Sequence, residues 1–215
     1  MPQFDLYTFL TQATVLLFAI VFHECAHGFV ADKLGDPTAR LQGRITLNPV
    51  PHIDPFGTII LPLITLLLPG GFFFGYAKPV PVTTTNLRNP RSGSIWVAFA
   101  GPASNFLLAL LAAIALALVP AGGGEKSFSA FIQPLLITAL YVNVYLGVFN
   151  LMPFPPLDGS WILMGLLPLN LALSYSRLRP YGMLILAALL WTRLISVFMW
   201  PARVLIGALG QLASL

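Results

Sequence analysis

Val15-Leu16-Leu17-Phe18-Ala19-Ile20-Val21-Phe22-His23-Glu24-Cys25-Ala26-His27 runs hydrocarbon straight into two histidines and a glutamate. The apolar run begins near Leu6, and about 20 such residues cross a bilayer as a helix. Residues four apart on a helix share a face, so the imidazoles of His23 and His27 can reach one metal ion. Ionisable groups at membrane depth are costly and mark functional positions. The stretch is therefore read as a spanning helix, over residues 6 to about 31, whose far end binds a metal.

The bulk composition agrees. The chain has 215 residues, of which 57% are hydrophobic and 8% charged; soluble domains carry about a quarter charged. Several runs are long enough to span, which predicts one polytopic membrane domain over 1–215, with a catalytic core at about 6–169 and C-terminal helices at about 170–215. The net charge of +4 is small and has no basic cluster behind it, so nucleic acid is not expected as a partner. One cysteine excludes an intrachain disulfide. Cys25 lies between the histidines but on another part of the helix and is read as a packing residue. The first run has no basic start and contains the histidines, so it does not read as a cleaved signal.

His-Glu-x-x-His is also the pattern in which zinc peptidases place two ligands and a general base, here Glu24. A chance match of three letters is the bland alternative; the cost of burying those letters in hydrocarbon argues against it.

Downstream, Asp32, Lys33, Asp36 and Pro37 mark the exit into water. Residues 40–47 alternate polar and apolar, which predicts a short strand. Pro49, Pro51 and Pro55 then break regular structure, and His52 among them is read as a structural loop histidine. Residues 56–74 are apolar but broken by Pro62, Pro69, Gly70 and Gly71. Residues 77–82 are extended, held by Pro79 and Pro81 as an edge. Residues 95–119 predict a helix in which Gly101, Ala103 and Ser104 allow close approach and Asn105 bonds across helices. Gly122-Gly123-Gly124 is a loop, and 131–152 is the next helix. Pro153, Pro155 and Pro156 disrupt it where open backbone is tolerated only inside protein or around a cavity. Residues 160–169 follow; 181–200 are expected to span, and 202–215 to form a short terminal helix. The expected fold class is thus all-α and polytopic: about three spanning helices, a re-entrant or broken segment, a small β element and additional C-terminal helices.

Catalytic zinc takes three protein ligands and leaves one position for water. The candidates for the third are Asp5, Asp32, Asp36, His52, Asp54, Glu125 and Asp158. Asp158 stands beside a broken backbone between apolar segments, where an unpaired carboxylate is expensive and a metal would offset the cost. Its bland alternative is an N-cap for the following helix.

His23-Glu24-Cys25-Ala26-His27 with Asn150…Pro153…Pro155…Leu157-Asp158-Gly159 resembles the site-2 protease family of intramembrane metalloproteases. Gly101-Pro102-Ala103-Ser104-Asn105 and Lys78-Pro79-Val80-Pro81-Val82 are similar to its compact bacterial members, and the resemblance covers about 15–180. It implies one Zn²⁺ per chain on His23, His27 and Asp158, with Glu24 as base. It places the match to Asn150 near bound substrate and that to Asn105 at the oxyanion. The implied substrates are single-span membrane proteins or peptides, cut within or near the lipid bilayer. Unlike in larger members, no PDZ or CBS domain is expected within these 215 residues.

Topology constrains the middle of the chain. The carboxy ends of the first helix and of 131–152 must meet on one side, so an odd number of crossings separates them. Residues 95–119 supply one, so 56–74 should be re-entrant or broken. With the end of the first helix in the cytoplasm, Lys33, Arg40, Arg44, Lys78, Arg88, Arg91, Arg177 and Arg179 all lie inside, against Lys126 in the clear outer loop. The positive-inside rule favours that orientation in a multi-pass cell-membrane protein. Two other classes share some of these features: a membrane metal transporter, which would need several sites along a path, and an inactive scaffold for transmembrane helices, in which Glu24 and Asp158 have no task.

Overall fold

The computed structural model describes residues 6–61, 64, 76–120 and 127–213. Among them are nine α-helices: α1 (Leu6–Lys33), α2 (Thr38–Leu41), α3 (Pro90–Leu118), α4 (Phe128–Asn150), α5 (Asp158–Leu166), α6 (Leu169–Ser176), α7 (Gly182–Trp191), α8 (Ile195–Phe198) and α9 (Trp200–Leu212). Four stretches of the described residues are long and apolar enough to cross a membrane: α1, α3, α4 and the continuous Ile195–Leu212 formed by α8 and α9. The protein is an all-α polytopic membrane protein.

The helix ends follow local chemistry. Asn89 caps α3 by accepting from the Ser92 amide, with Pro90 in the first turn where its missing N–H costs nothing. Ser127 caps α4 through the Ala130 amide. α1 ends at Gly35, whose φ of +113° suits glycine, and the Asp36 amide returns to the Ala31 carbonyl.

α3 is the central helix and packs on α1, α4, α5 and α9. Its buried positions recur at helical spacing and are mostly small: Ala98, Gly101, Pro102, Asn105, Ala109, Ala112 and Ala113. In lipid there is no hydrophobic drive between helices, so close packing of small residues and interhelical hydrogen bonds carry association. Ala109, Ala113 and Leu116 meet Leu140, Val144 and Val148 of α4 and Ala202 of α9 in one cluster. Deeper toward the site, Asn105 Nδ2 donates to the Asn143 side chain of α4 at 2.9 Å and to the Ala19 carbonyl of α1 at 3.2 Å, so one amide joins three helices.

Three expectations are corrected. The small β element over 40–47 is absent: no strand occurs among the described residues. The stretch instead forms α2 and a turn through Gly43, and its polar groups fold back: the Arg44 amide reaches the Ala39 carbonyl, and the Thr46 carbonyl accepts from Cys25 and His52. With no partner strand, alternation alone makes no ladder. Residues 77–82 run without a ladder for the same reason. Residues 181–200 are not one span. The chain breaks after Trp191, where Arg193 adopts φ 58° and the Thr192 hydroxyl bonds back to the Ala188 carbonyl; the long apolar stretch is Ile195–Leu212.

Most of 56–74 lies outside the described residues. Its flanks are defined: Asp54 caps a π-helical turn, Pro55–Ile60, by accepting from Gly57, and the Tyr76 amide donates to the Gly57 carbonyl at 3.0 Å. The described flanks therefore lie side by side at Gly57 and Tyr76; the expected re-entrant or broken course of 56–74 falls outside the described residues.

Candidate metal centre

His23 and His27 lie one turn apart on α1 and both are buried. His27 Nδ1 is 2.6 Å from the Val97 carbonyl, and His23 Nδ1 is 2.7 Å from Asn105 Oδ1. A carbonyl oxygen only accepts, so each Nδ1 carries the ring hydrogen, and each neutral ring turns an Nε2 lone pair outward. Those two Nε2 atoms are 3.0 Å apart. Asp158 Oδ2 lies 3.0 Å from the first and 3.4 Å from the second.

Asp158 arrives from the other end of the core. α4 stops at Asn150, a proline-rich turn follows, and α5 starts at Asp158 itself. Leu157 occupies the N-cap position and Asp158 makes no capping bond, so its carboxylate is free for other work. Gly159 lets this turn tuck in: a Cβ there would collide with the Leu151 carbonyl.

Three electron-pair donors facing one another at this range repel unless a cation or protons lie among them. Asp158 Oδ2 is buried and has no hydrogen-bond donor. The donor set also has the right chemistry and size: around an ion with bonds of about 2.0–2.1 Å, tetrahedral ligands sit roughly 3.3 Å apart. α3 leaves the room. A Cβ on Gly101 would be 2.5 Å from both Nε2 atoms. The residues present fit a zinc ion, and this is the one such group of three among the described residues. A path of several sites, which transport would need, is not seen there.

Glu24 borders the same cavity, of about 370 Å³, with His23, His27, Asp158, Asn150, Val80 and Trp161. One of its oxygens, Oε2, accepts from the Val80 amide at 2.6 Å. Asn150 is at the cavity wall and donates to the Leu146 carbonyl.

The structure gives Asn105 the bonding across helices expected from its place in an apolar span, and not the oxyanion role that the resemblance implied. It is fully buried, both amide donations are spent on Ala19 and Asn143, and its oxygen faces the back of His23. It has no donor left for an oxyanion and instead orients the His23 ring. The other candidate ligands are otherwise engaged. Asp32 pairs with Arg40, Asp36 takes donors from Thr38, Thr83 and Asn86, Asp54 caps its turn, and His52 binds the Thr46 carbonyl. Asp5 and Glu125 lie outside the described residues. Three contributors were not found in sequence: the Val97 carbonyl and the Val80 amide, which carry no side-chain signal, and Gly101, which was read only as a packing glycine.

Known proteins give the geometry a context. The profile of Peptidase family M50 matches residues 11–128 and 118–192. YwhC of Bacillus subtilis (strain 168), whose name carries the words zinc metalloprotease, is 39% identical over 188 residues, covering 86% of this chain and 82% of its own. Rip2 of Mycolicibacterium smegmatis, with the same words in its name, is 33% identical over 178 residues, covering 82% of this chain. The chain spans 64% of that relative and 52% of Rip2 from Mycobacterium tuberculosis, to which it is 34% identical over 145 residues. No solved structure matches.

Proposed function

Given that the chain belongs to peptidase family M50 and is an intramembrane zinc metalloprotease, we propose that His23, His27 and Asp158 hold its Zn²⁺ and that Glu24 is the general base. Its substrates are single-span membrane proteins or peptides. The observation that carries the assignment is the meeting of two imidazole Nε2 atoms and a donorless carboxylate oxygen beside Glu24 in one cavity.

Zinc, when bound, polarises the scissile carbonyl and brings the pKa of a water down to about 7. Glu24 accepts the proton of the attacking water on the oxygen that Val80 leaves free, and passes it to the departing amine nitrogen. Asn105 and the Val97 carbonyl keep both rings in one tautomer and orientation through these steps. Asn150, at the cavity wall, contacts the substrate backbone. The substrate must first unwind, since a helix keeps its carbonyls in its own hydrogen bonds.

The active site opens toward the cytoplasm, supported by the basic residues of the loops on that side. A single cysteine at Arg40, in a Cys25→Ser background, tests this: a membrane-impermeant thiol reagent added to intact cells should leave it unmodified, and modification would reverse the orientation.

Zinc content and cleavage of a panel of single-span substrates test the chemistry. The wild type should carry one zinc and cut at least one member within its apolar segment. Glu24→Gln should keep the zinc and lose cleavage by about 10²–10⁴-fold. Normal turnover by Glu24→Gln would remove the base assignment.

A further inference from the structure

Arg44 is 8% exposed, and among the described residues it has no acidic partner. A buried charge without a counter-charge is costly unless its hydrogen bonds do something the fold requires. Its Nη2 donates to the Lys78 carbonyl at 2.8 Å and the Pro79 carbonyl at 3.2 Å, and its Nε has no partner. The next residue in the chain is Val80, whose amide holds Glu24.

The segment around it is built to be stiff. Pro79 and Pro81 fix their own φ and restrict their neighbours. Neither has an N–H, so Val80 supplies the single amide donor of residues 79–81. The Lys78 amide is anchored on the His52 carbonyl at 2.9 Å, and the Thr83 amide on Asp36 at 2.6 Å. Between those anchors, the guanidinium is the side chain that grips the backbone immediately before the Val80 peptide.

We propose that Arg44 is a positioning residue for peptide hydrolysis: by gripping the Lys78 and Pro79 carbonyls it sets the Val80 amide, which in turn aims the Glu24 carboxylate. The inference rests on the peptidase reading above for its kinetic consequence, but not for its structural one. Misplacing a reacting group by about 1 Å can cost on the order of 10²-fold in rate. Losing the grip therefore acts on turnover, while the metal ligands, which lie on α1 and α5, stay in place.

The test compares Arg44→Ala, Arg44→Lys and Val80→Pro in the full-length, zinc-loaded protein, using the single-span substrate that the wild type cuts fastest. Arg44→Ala should lower kcat about 10–100-fold, with KM within about 2-fold and one zinc retained. Lysine at 44 should restore part of kcat, and millimolar guanidinium should rescue Arg44→Ala. Val80→Pro should lower kcat similarly, and combining it with Arg44→Ala should cost little more, since both break one link. Amide hydrogen exchange needs no turnover: the peptide covering 78–83 should exchange faster in Arg44→Ala and in Glu24→Ala, with α3 unchanged. Loss of zinc and of thermal stability together, without rescue by lysine or guanidinium, would make Arg44 a purely structural residue. Unchanged exchange at 78–83 in Arg44→Ala would break the link even if no substrate were cut. Wild-type inactivity with the exchange effect intact would instead indict the peptidase reading alone.

Discussion

Asn105 on α3 lies 2.7 Å from His23 Nδ1 on α1 as its acceptor, and this bond turns the Nε2 of His23 toward His27 and Asp158. Outer partners of ligating histidines are worth about 10–100-fold in metal affinity. Asn105→Leu should weaken zinc binding by that amount, read by competition with a chelator. Asn105→Asp retains an acceptor and should lose less. Equal affinity in the wild type and Asn105→Leu would leave the asparagine with its helix-joining role alone.

Gly101 faces the same imidazoles from the opposite wall. Alanine is the better helix former by about 1 kcal/mol, so on propensity alone Gly101→Ala would be harmless. Its Cβ would nevertheless lie 2.5 Å from both Nε2 atoms. The expected product is a folded, helical protein that purifies without zinc. Circular dichroism and metal analysis on one sample check this, and a stoichiometric zinc content would show that the cradle is larger than it looks.

Asp158 reaches the histidines from a segment more than a hundred residues away, and its Oδ2 has no hydrogen-bond donor. Asp158→Ala should lose zinc on dialysis. Because an ion that binds only the folded state stabilises it, chelation should lower the melting temperature of the wild type and leave that of Asp158→Ala where it is. Retained zinc in Asp158→Ala would move the third ligand elsewhere.

How much of this could be read in the sequence depends on what carries the information. His23 and His27 are legible because helical spacing converts directly into a shared face, Glu24 because it completes the His-Glu-x-x-His pattern, and Asp158 because its lipid setting makes a bare carboxylate conspicuous. Spanning helices are legible because the bilayer demands long apolar runs. The 40–47 stretch misleads because strand pattern is local while a strand needs a partner, and Arg44 and Thr46 bond elsewhere. The break at Thr192-Arg193 is hidden by the hydropathy of its flanks. Asn105 was visible as a polar residue in an apolar span, but its direction depends on Ala19 and Asn143, which only packing reveals. Backbone groups such as the Val80 amide leave no trace in a sequence at all.

Asp36 supplies a pH signature outside the spans. It is fully buried at the exit of α1 and ties that exit to the segment after Pro81, accepting from Thr38, from the Thr83 amide and from Asn86. Burial alone would raise its pKa above the ordinary 3.8, but the hydrogen bonds from Thr38, Thr83 and Asn86 outweigh it and hold the value down. A carboxyl depressed on folding contributes stability that is present above its unfolded pKa and fades as pH falls through the folded one. The melting temperature of the wild type should therefore exceed that of Asp36→Asn at pH 5 and above, and the gap should narrow as the pH falls below about 4. Running both proteins with chelator keeps acid release of zinc out of the comparison. A gap that stays constant from pH 6 to pH 2.5 would mean that the charge of Asp36 does not tie the exit of α1 to the segment after Pro81, and that its neighbours bind the side chain equally well without it.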